Sequence, residues 1–260
     1  MFDKGRTIPT GDTELFVADT GKPNGPPIVL LHGGLGSRVD FEPIARLLAS
    51  EHRLVAIDSR GHGRSLLGEQ PMTYRQLAED VVAILDELDL REAGLLGHSD
   101  GGVVALRLAA FGLCQPRFVI AVGAQWHLPD DDEARAIYQA VTAEEWRGMF
   151  GSEVARYEAE NPRPDFARLF DATRAMWLGR GPDAYPGEAV HTITAPLLVV
   201  HGDEDFLVSR KQAFELVERV GGARLLNLPA ASHTVLQDSP EDVHVHIARF
   251  IKGLSDRPEE

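Results

Sequence analysis

The apolar positions of this chain fall into short unbroken runs. Residues 14–19, PPIVLLHGG (26–34), HRLVAIDSRG (52–61), AGLLGH (93–98), RFVIAVGA (117–124), APLLVVHGD (195–203) and ARLLNLP (223–229) are continuous rather than alternating. That is the pattern of strands buried on both faces, as in a parallel sheet covered by helices. Between the runs the period becomes helical. Thr73 to Gln76 has the spacing of a capping box, and Tyr74, Leu77, Val81, Ile84, Leu85 and Leu88 then share one face. Further helices are predicted at 101–112 and 209–221. A last one is capped by Ser239, has Pro240 at its first position, and carries the stripe Val243, Ile247, Phe250, Ile251 and Leu254. Strands alternating with helices predict a doubly wound, mostly parallel α/β sheet.

The alternation stops over residues 125–190. DDDEARAIYQAVTAEEWRGMF, SEVARYEAE and PDFARLFDATRAMW read as three helical pieces with no strand between them. An unstructured loop of that length is implausible. The expected organisation is therefore a core of residues 1–124 and 191–260 with a helical cap, 125–190, inserted into it. SDRPEE, 255–260, reads as a frayed tail.

Composition narrows the class without naming a chemistry. A chain of 260 residues lies near the upper limit for one hydrophobic core. Its net charge of −14, from 40 acidic against 26 basic residues, argues against nucleic acid or an anionic membrane surface as a partner. The lone Cys114 excludes an internal disulfide and reads as a small core residue. The first residues contain no apolar signal core, and no run approaches the roughly 18 apolar residues of a membrane span, so a cytoplasmic protein is expected.

Candidate chemistry begins at GHSDG, 97–101. It fits G-x-S-x-G at the end of an apolar run and the start of a helix, where a sharp turn exposes the serine and glycines relieve the crowding. The pentapeptide alone is weak. A serine hydroxyl needs a base within hydrogen-bond reach and a third group to orient that base. Asp203, Glu204 and Asp205 follow one predicted strand and His233 follows the next, and sites in such sheets collect beyond the carboxyl ends of strands. His32 and His98 end buried strands and read as structural residues, and His62 belongs to a turn. Arg60 and Ser65 read as residues that hold that turn together. His244 and His246, two apart on a helix, do not share a face, and no metal site is expected.

HGGLGS (32–37), DSRGHGRS (58–65), GHSDGG (97–102), HGDEDFLVS (201–209) and ASHTVLQDSPEDV (231–243) together resemble the α/β-hydrolase family over nearly the whole chain. Serine, acid and histidine also follow in the chain order known for that fold. The resemblance implies the α/β-hydrolase fold with Ser99 as nucleophile, His233 as base and Asp205 rather than Asp203 as the orienting acid. Ser209 departs from the family, many of whose members have proline there. An oxyanion hole is implied at the backbone N–H of Asp100 and that of Gly34 or Leu35. The implied chemistry is hydrolysis of small carboxylic esters through an acyl-serine, with no metal or organic cofactor. Serine at the elbow argues against dehalogenase and epoxide-hydrolase members, which use aspartate there.

Several alternatives stay open on sequence alone. The Asp100 carboxylate either meets a cationic amine of the substrate or turns to solvent or to the cap. Trp126 and His127, at the cap junction, either line the acyl pocket or pack the cap. A carbon–carbon hydrolase of ring-cleavage products shares the triad but wants a cap cation facing the serine. The candidates are Arg135, Arg147, Arg156, Arg163, Arg168, Arg174 and Arg180. Peracid formation, amide cleavage and a small-molecule receptor that keeps the triad are further alternatives, and the pattern does not fix an oligomeric state.

Overall fold

A computed structural model describes residues 1–255. Of the predicted tail 255–260, Ser255 is instead the last residue of the final helix, and 256–260 lie outside the described residues. Eight strands form one sheet in the order β1-β2-β4-β3-β5-β6-β7-β8. Six of them are parallel: β3 (Pro27–Leu31), β4 (Arg53–Ile57), β5 (Gly94–His98), β6 (Val119–Val122), β7 (Leu197–Gly202) and β8 (Arg224–Leu228). At one edge β2 (Thr13–Gly21) pairs antiparallel with β4, and β1 (Arg6–Thr10) pairs antiparallel with β2. The hydrophobic runs do not signal β1. Its residues alternate, it contains Pro9, and it is an edge strand with most side chains exposed.

The continuous runs are explained by apolar layers on both faces. On β3, Ile28 and Leu30 point into one cluster with α1 (Glu42–Leu48) and the last helix, α10 (Pro240–Ser255). Val29 and Leu31 point into the other, with α2 (Tyr74–Glu87), α3 (Asp100–Ala110) and α8 (Arg210–Arg219). Val243, Ile247 and Phe250 of the predicted stripe are buried in the first of these clusters, and Cys114 is a buried free thiol in the second. Only half of the predicted capping box forms: Thr73 Oγ1 accepts the Gln76 N–H at 3.0 Å, while the Gln76 side chain donates to Asp80. Arg60 and Ser65 do hold the turn after β4. Arg60 pairs with Asp80 at 2.6 Å, and Ser65 Oγ donates to the Asp58 carbonyl at 2.6 Å.

The inserted segment between β6 and β7 carries four helices rather than three: α4 (Glu133–Ala140), α5 (Ala143–Met149), α6 (Gly151–Glu160) and α7 (Phe166–Trp177). The first predicted piece breaks because Val141 is extended and Thr142 restarts the helix with a full capping box to Glu145. These helices cap the loops at the carboxyl ends of the strands. Arg156 pairs with Asp40 at 3.1 Å, Glu160 with Arg38 at 2.9 Å, and Asn161 donates to carbonyls of the β4 turn. No helix among the described residues is long and apolar enough to cross a membrane.

Candidate active site

Ser99 stands between β5 and α3 with φ +51°, a conformation that costs a non-glycine residue about 1–3 kcal/mol and persists only when its surroundings enforce it. Here its N–H donates to the Val122 carbonyl at 2.8 Å and its carbonyl accepts from Val103 at 3.0 Å. The flanking glycines are a matter of space. A Cβ on Gly97 would lie 2.2 Å from the Gly101 carbonyl oxygen, and one on Gly101 would lie 1.9 Å from that of Leu31. The turn is closed this tightly because strand and helix backbones touch.

The β8-to-α9 loop brings in His233, α9 being Val235–Asp238. His233 Nε2 lies 3.0 Å from Ser99 Oγ, and its Nδ1 lies 2.8 Å from Asp205 Oδ2. A carboxylate only accepts, so Nδ1 carries the proton and Nε2 is free to take one from the serine. The Asp205 side chain is fully buried. Burial alone would raise its pKa, but the bonds from His233 and from the N–H groups of Val208 and Leu207 outweigh it and hold the carboxyl below its usual range. Asp203 instead meets Asn227 and Arg210, and Glu204 is exposed, so of the three acids only Asp205 reaches the imidazole.

His98, read from the sequence as a structural residue inside the elbow motif, and Gly123, which no motif announces, complete this arrangement. His98 Nε2 lies 2.9 Å from the His233 carbonyl oxygen, and burial pushes its pKa down to about 4, leaving a neutral ring that donates there. Gly123, just beyond β6, is the floor of the pair: a Cβ there would sit 3.2 Å from His233 Nδ1 and 3.3 Å from Asp205 Oδ2.

Of the candidate oxyanion donors, Leu35 is excluded. Its N–H donates to His62 Nε2 at 3.0 Å. The N–H groups of Gly34 and of Asp100, which opens α3, make no hydrogen bond among the described residues. The Asp100 carboxylate does not turn to solvent. Tyr74 donates its hydroxyl to Oδ1 at 2.6 Å, and Trp177 of the cap donates its indole N–H to Oδ2 at 2.8 Å. Burial raises the pKa of this acid. A Cβ on Gly34 would meet Asp100 Oδ2 at 2.4 Å and the Trp177 ring at 2.7 Å, so glycine is required where loop, carboxylate and cap converge.

Trp126 and His127 do not join the triad. The two rings stack on each other at 3.8 Å, the Arg219 guanidinium covers Trp126 at 4.3 Å, and His127 faces Glu215 at 3.8 Å. Both thus pack against α8, because the chain leaving β6 turns along that helix before the cap begins. From the cap it is Trp177 that approaches the elbow, as Tyr74 of α2 does from the core. Trp177 stacks with Tyr138 at 4.8 Å and is flanked by Trp146 at 5.9 Å.

Residues 28–244 match the alpha/beta hydrolase family. The chain belongs to that family. It is 26% identical over 239 residues to an esterase of Escherichia coli, YbfF, covering 88% of this chain and 94% of the relative. It is 28% identical over 225 residues to the serine hydrolase BPHL of Mus musculus, covering 80% of this chain and 73% of that one. Among solved structures, a meta-cleavage product hydrolase from Pseudomonas fluorescens superimposes with a TM-score of 0.81 at 21% identity, covering 96% of this chain and 98% of that chain. An enol-lactonase from Burkholderia xenovorans gives 0.75 at 22%, covering 95% and 100%. At such identities the structures speak for the fold alone. Together with the family match and its esterase relatives, the protein is a hydrolase of the α/β fold.

Proposed function

We propose that this α/β hydrolase cleaves small carboxylic esters through an acyl-enzyme on Ser99. The observation that carries the reading is the unbroken relay from Ser99 Oγ through His233 to buried Asp205. In the first step Ser99 Oγ bonds to the ester carbonyl carbon while its proton passes to His233 Nε2. The oxyanion faces the N–H groups of Gly34 and Asp100, each worth on the order of 3 kcal/mol to the transition state. Collapse expels the alcohol, which takes the proton from His233. Water then attacks the acyl-serine by the same route, and the acid and free Ser99 are released. Asp205 stays ionised and keeps Nδ1 protonated, so the ring faces the serine in its basic form.

The ring-cleavage alternative finds less support. Arg135 is tied to the Leu128 and Pro129 carbonyls, Arg147 to Glu158, Arg156 to Asp40, Arg168 to Gly68 and Glu69, Arg174 to the Val141 carbonyl and Arg180 to Asp130. Arg163 is exposed. The charged group beside the elbow is instead the Asp100 carboxylate, whose hydrogen-bond donors are both neutral. That environment suits a neutral or amine-bearing ester better than a dianionic dienoate.

Labelling with a fluorophosphonate, followed by turnover of p-nitrophenyl esters of increasing acyl length, tests the reading. Wild type is expected to label and to turn over short esters. Ser99→Ala is expected to lose labelling and at least about 10³-fold in kcat. A folded wild type that labels without turning over any ester would favour a receptor, and labelling retained in Ser99→Ala would remove Ser99 from its role.

A further inference from the structure

Two consecutive peptide planes of the loop after β3 are each held by an imidazole. His32 Nδ1 donates to the Gly33 carbonyl oxygen at 2.7 Å, while its Nε2 accepts the Ser59 N–H at 2.9 Å. His62 Nδ1 donates to the Arg60 carbonyl oxygen at 2.9 Å, while its Nε2 accepts the Leu35 N–H at 3.0 Å. A carbonyl only accepts and a backbone N–H only donates, so both rings are neutral with the proton on Nδ1. In a trans peptide the C=O and N–H point in opposite directions. Fixing the Gly33 carbonyl on His32 therefore turns the Gly34 N–H the other way. The bond from Leu35 to His62 then fixes the next plane, with Leu35 held at φ +59°. Both rings are buried, 5.1 Å apart.

The turn that carries His62 is in turn gripped by the cap. Asn161, buried at the end of α6, spreads its amide group over three carbonyls of that turn: Gly63 and Ser65 at 2.9 Å and Gly61 at 3.3 Å. Its own side-chain oxygen accepts the Arg163 N–H at 3.0 Å, which sets the amide orientation. A continuous chain of hydrogen bonds thus runs from the cap through the 61–65 turn and His62 to the loop that presents Gly34.

We propose that Asn161 is a positioning residue through which docking of the cap sets the direction of the Gly34 N–H, by way of the 61–65 turn and His62. The proposal rests on the reading of Gly34 as an oxyanion donor given above. It makes the hole complete only when the cap is seated on the β4 turn.

The test compares wild type with Asn161→Ala, which removes the donor, and Asn161→Asp, which keeps the shape but presents oxygens to three carbonyls. One readout is amide hydrogen exchange at Leu35; the others are kcat and KM on a neutral ester and the affinity of a trifluoromethyl ketone. Leu35 exchange is expected to accelerate at least about tenfold, with kcat and ketone affinity falling by a similar factor and KM staying within about twofold. If the Asp variant does not fold, the Ala variant decides. Unchanged Leu35 exchange in a folded variant overturns the proposal. So does faster exchange with unaltered kcat and ketone affinity, or a rise in KM alone. A wild type that hydrolyses no ester defeats the ester reading separately, and Leu35 exchange still decides whether the cap holds the loop.

Discussion

Asp100 concentrates the chemistry of this site in one residue. Its N–H opens α3 beside Ser99, and its side chain is a buried acid whose donors, Tyr74 and Trp177, are both neutral. A buried carboxylate without a cation is costly, which is why burial raises its pKa. A substrate ammonium group placed beside Gly34 would supply the missing countercharge. Asp100→Asn keeps the backbone donor and removes the charge. Its amide must also face two donors, so some loss on every substrate is expected. The discriminating quantity is a ratio. kcat/KM for an α-amino ester should fall at least about tenfold more than for the neutral analogue of equal size, about 1.4 kcal/mol of selective stabilisation. Equal losses on the two substrates would leave Asp100 with its backbone role alone.

At the scale of elements, the site is held by turns whose anchors lie far along the chain. The β4 turn is fixed from below by α2, where the Arg60 guanidinium meets Asp80 at 2.6 and 2.8 Å with both side chains buried. Asp80→Ala leaves a buried arginine with only the Asp12 contact at 3.3 Å, and removing one partner of such a pair costs on the order of 3–5 kcal/mol. Urea unfolding should show that loss, and a change below about 1 kcal/mol would mean that the turn relaxes around water. The same geometry explains what was legible in the sequence. Seven strands, the elbow turn and the meeting of Ser99, His233 and Asp205 could be read because each rests on a local run or motif at a strand end. The choice between Gly34 and Leu35 could not, since it depends on His62, 27 residues away, taking one of the two amides. The fate of the Asp100 carboxylate was hidden for the same reason, its partner Trp177 being 77 residues distant. For Trp126 and His127, nearness to the cap junction in sequence leaves pocket lining and packing equally open, and the direction of exit from β6 decides for packing against α8. The split of α4 from α5 was visible in principle, because Thr142 and Glu145 spell a capping box.

For the molecule as a whole, the neutral histidines that scaffold the site set a pH limit on stability. Burial pushes the pKa of His62 down to about 3, assisted by neighbouring His32, and that of His98 down to about 4, assisted by His233. In the unfolded chain both titrate near 6.5. Below that value the unfolded state binds protons that the folded state refuses, so stability is full above about pH 6.5 and declines as pH falls towards the folded values. Each histidine contributes about 1.4 kcal/mol per pH unit across that window, or about 4 kcal/mol for the pair at pH 5. Asp205 adds to the decline only at lower pH. Its folded pKa is depressed, so its contribution is present above the usual carboxylate range and lost as pH falls through the folded value. Urea unfolding between pH 7 and 5 measures the slope directly. His98→Gln keeps a donor for the His233 carbonyl and removes one titration, so its stability should vary with pH by about one proton less than wild type. An unchanged slope would mean that the His98 ring gains its proton before the fold gives way, and the neutral clamp on the His233 loop would then be wrong for that residue.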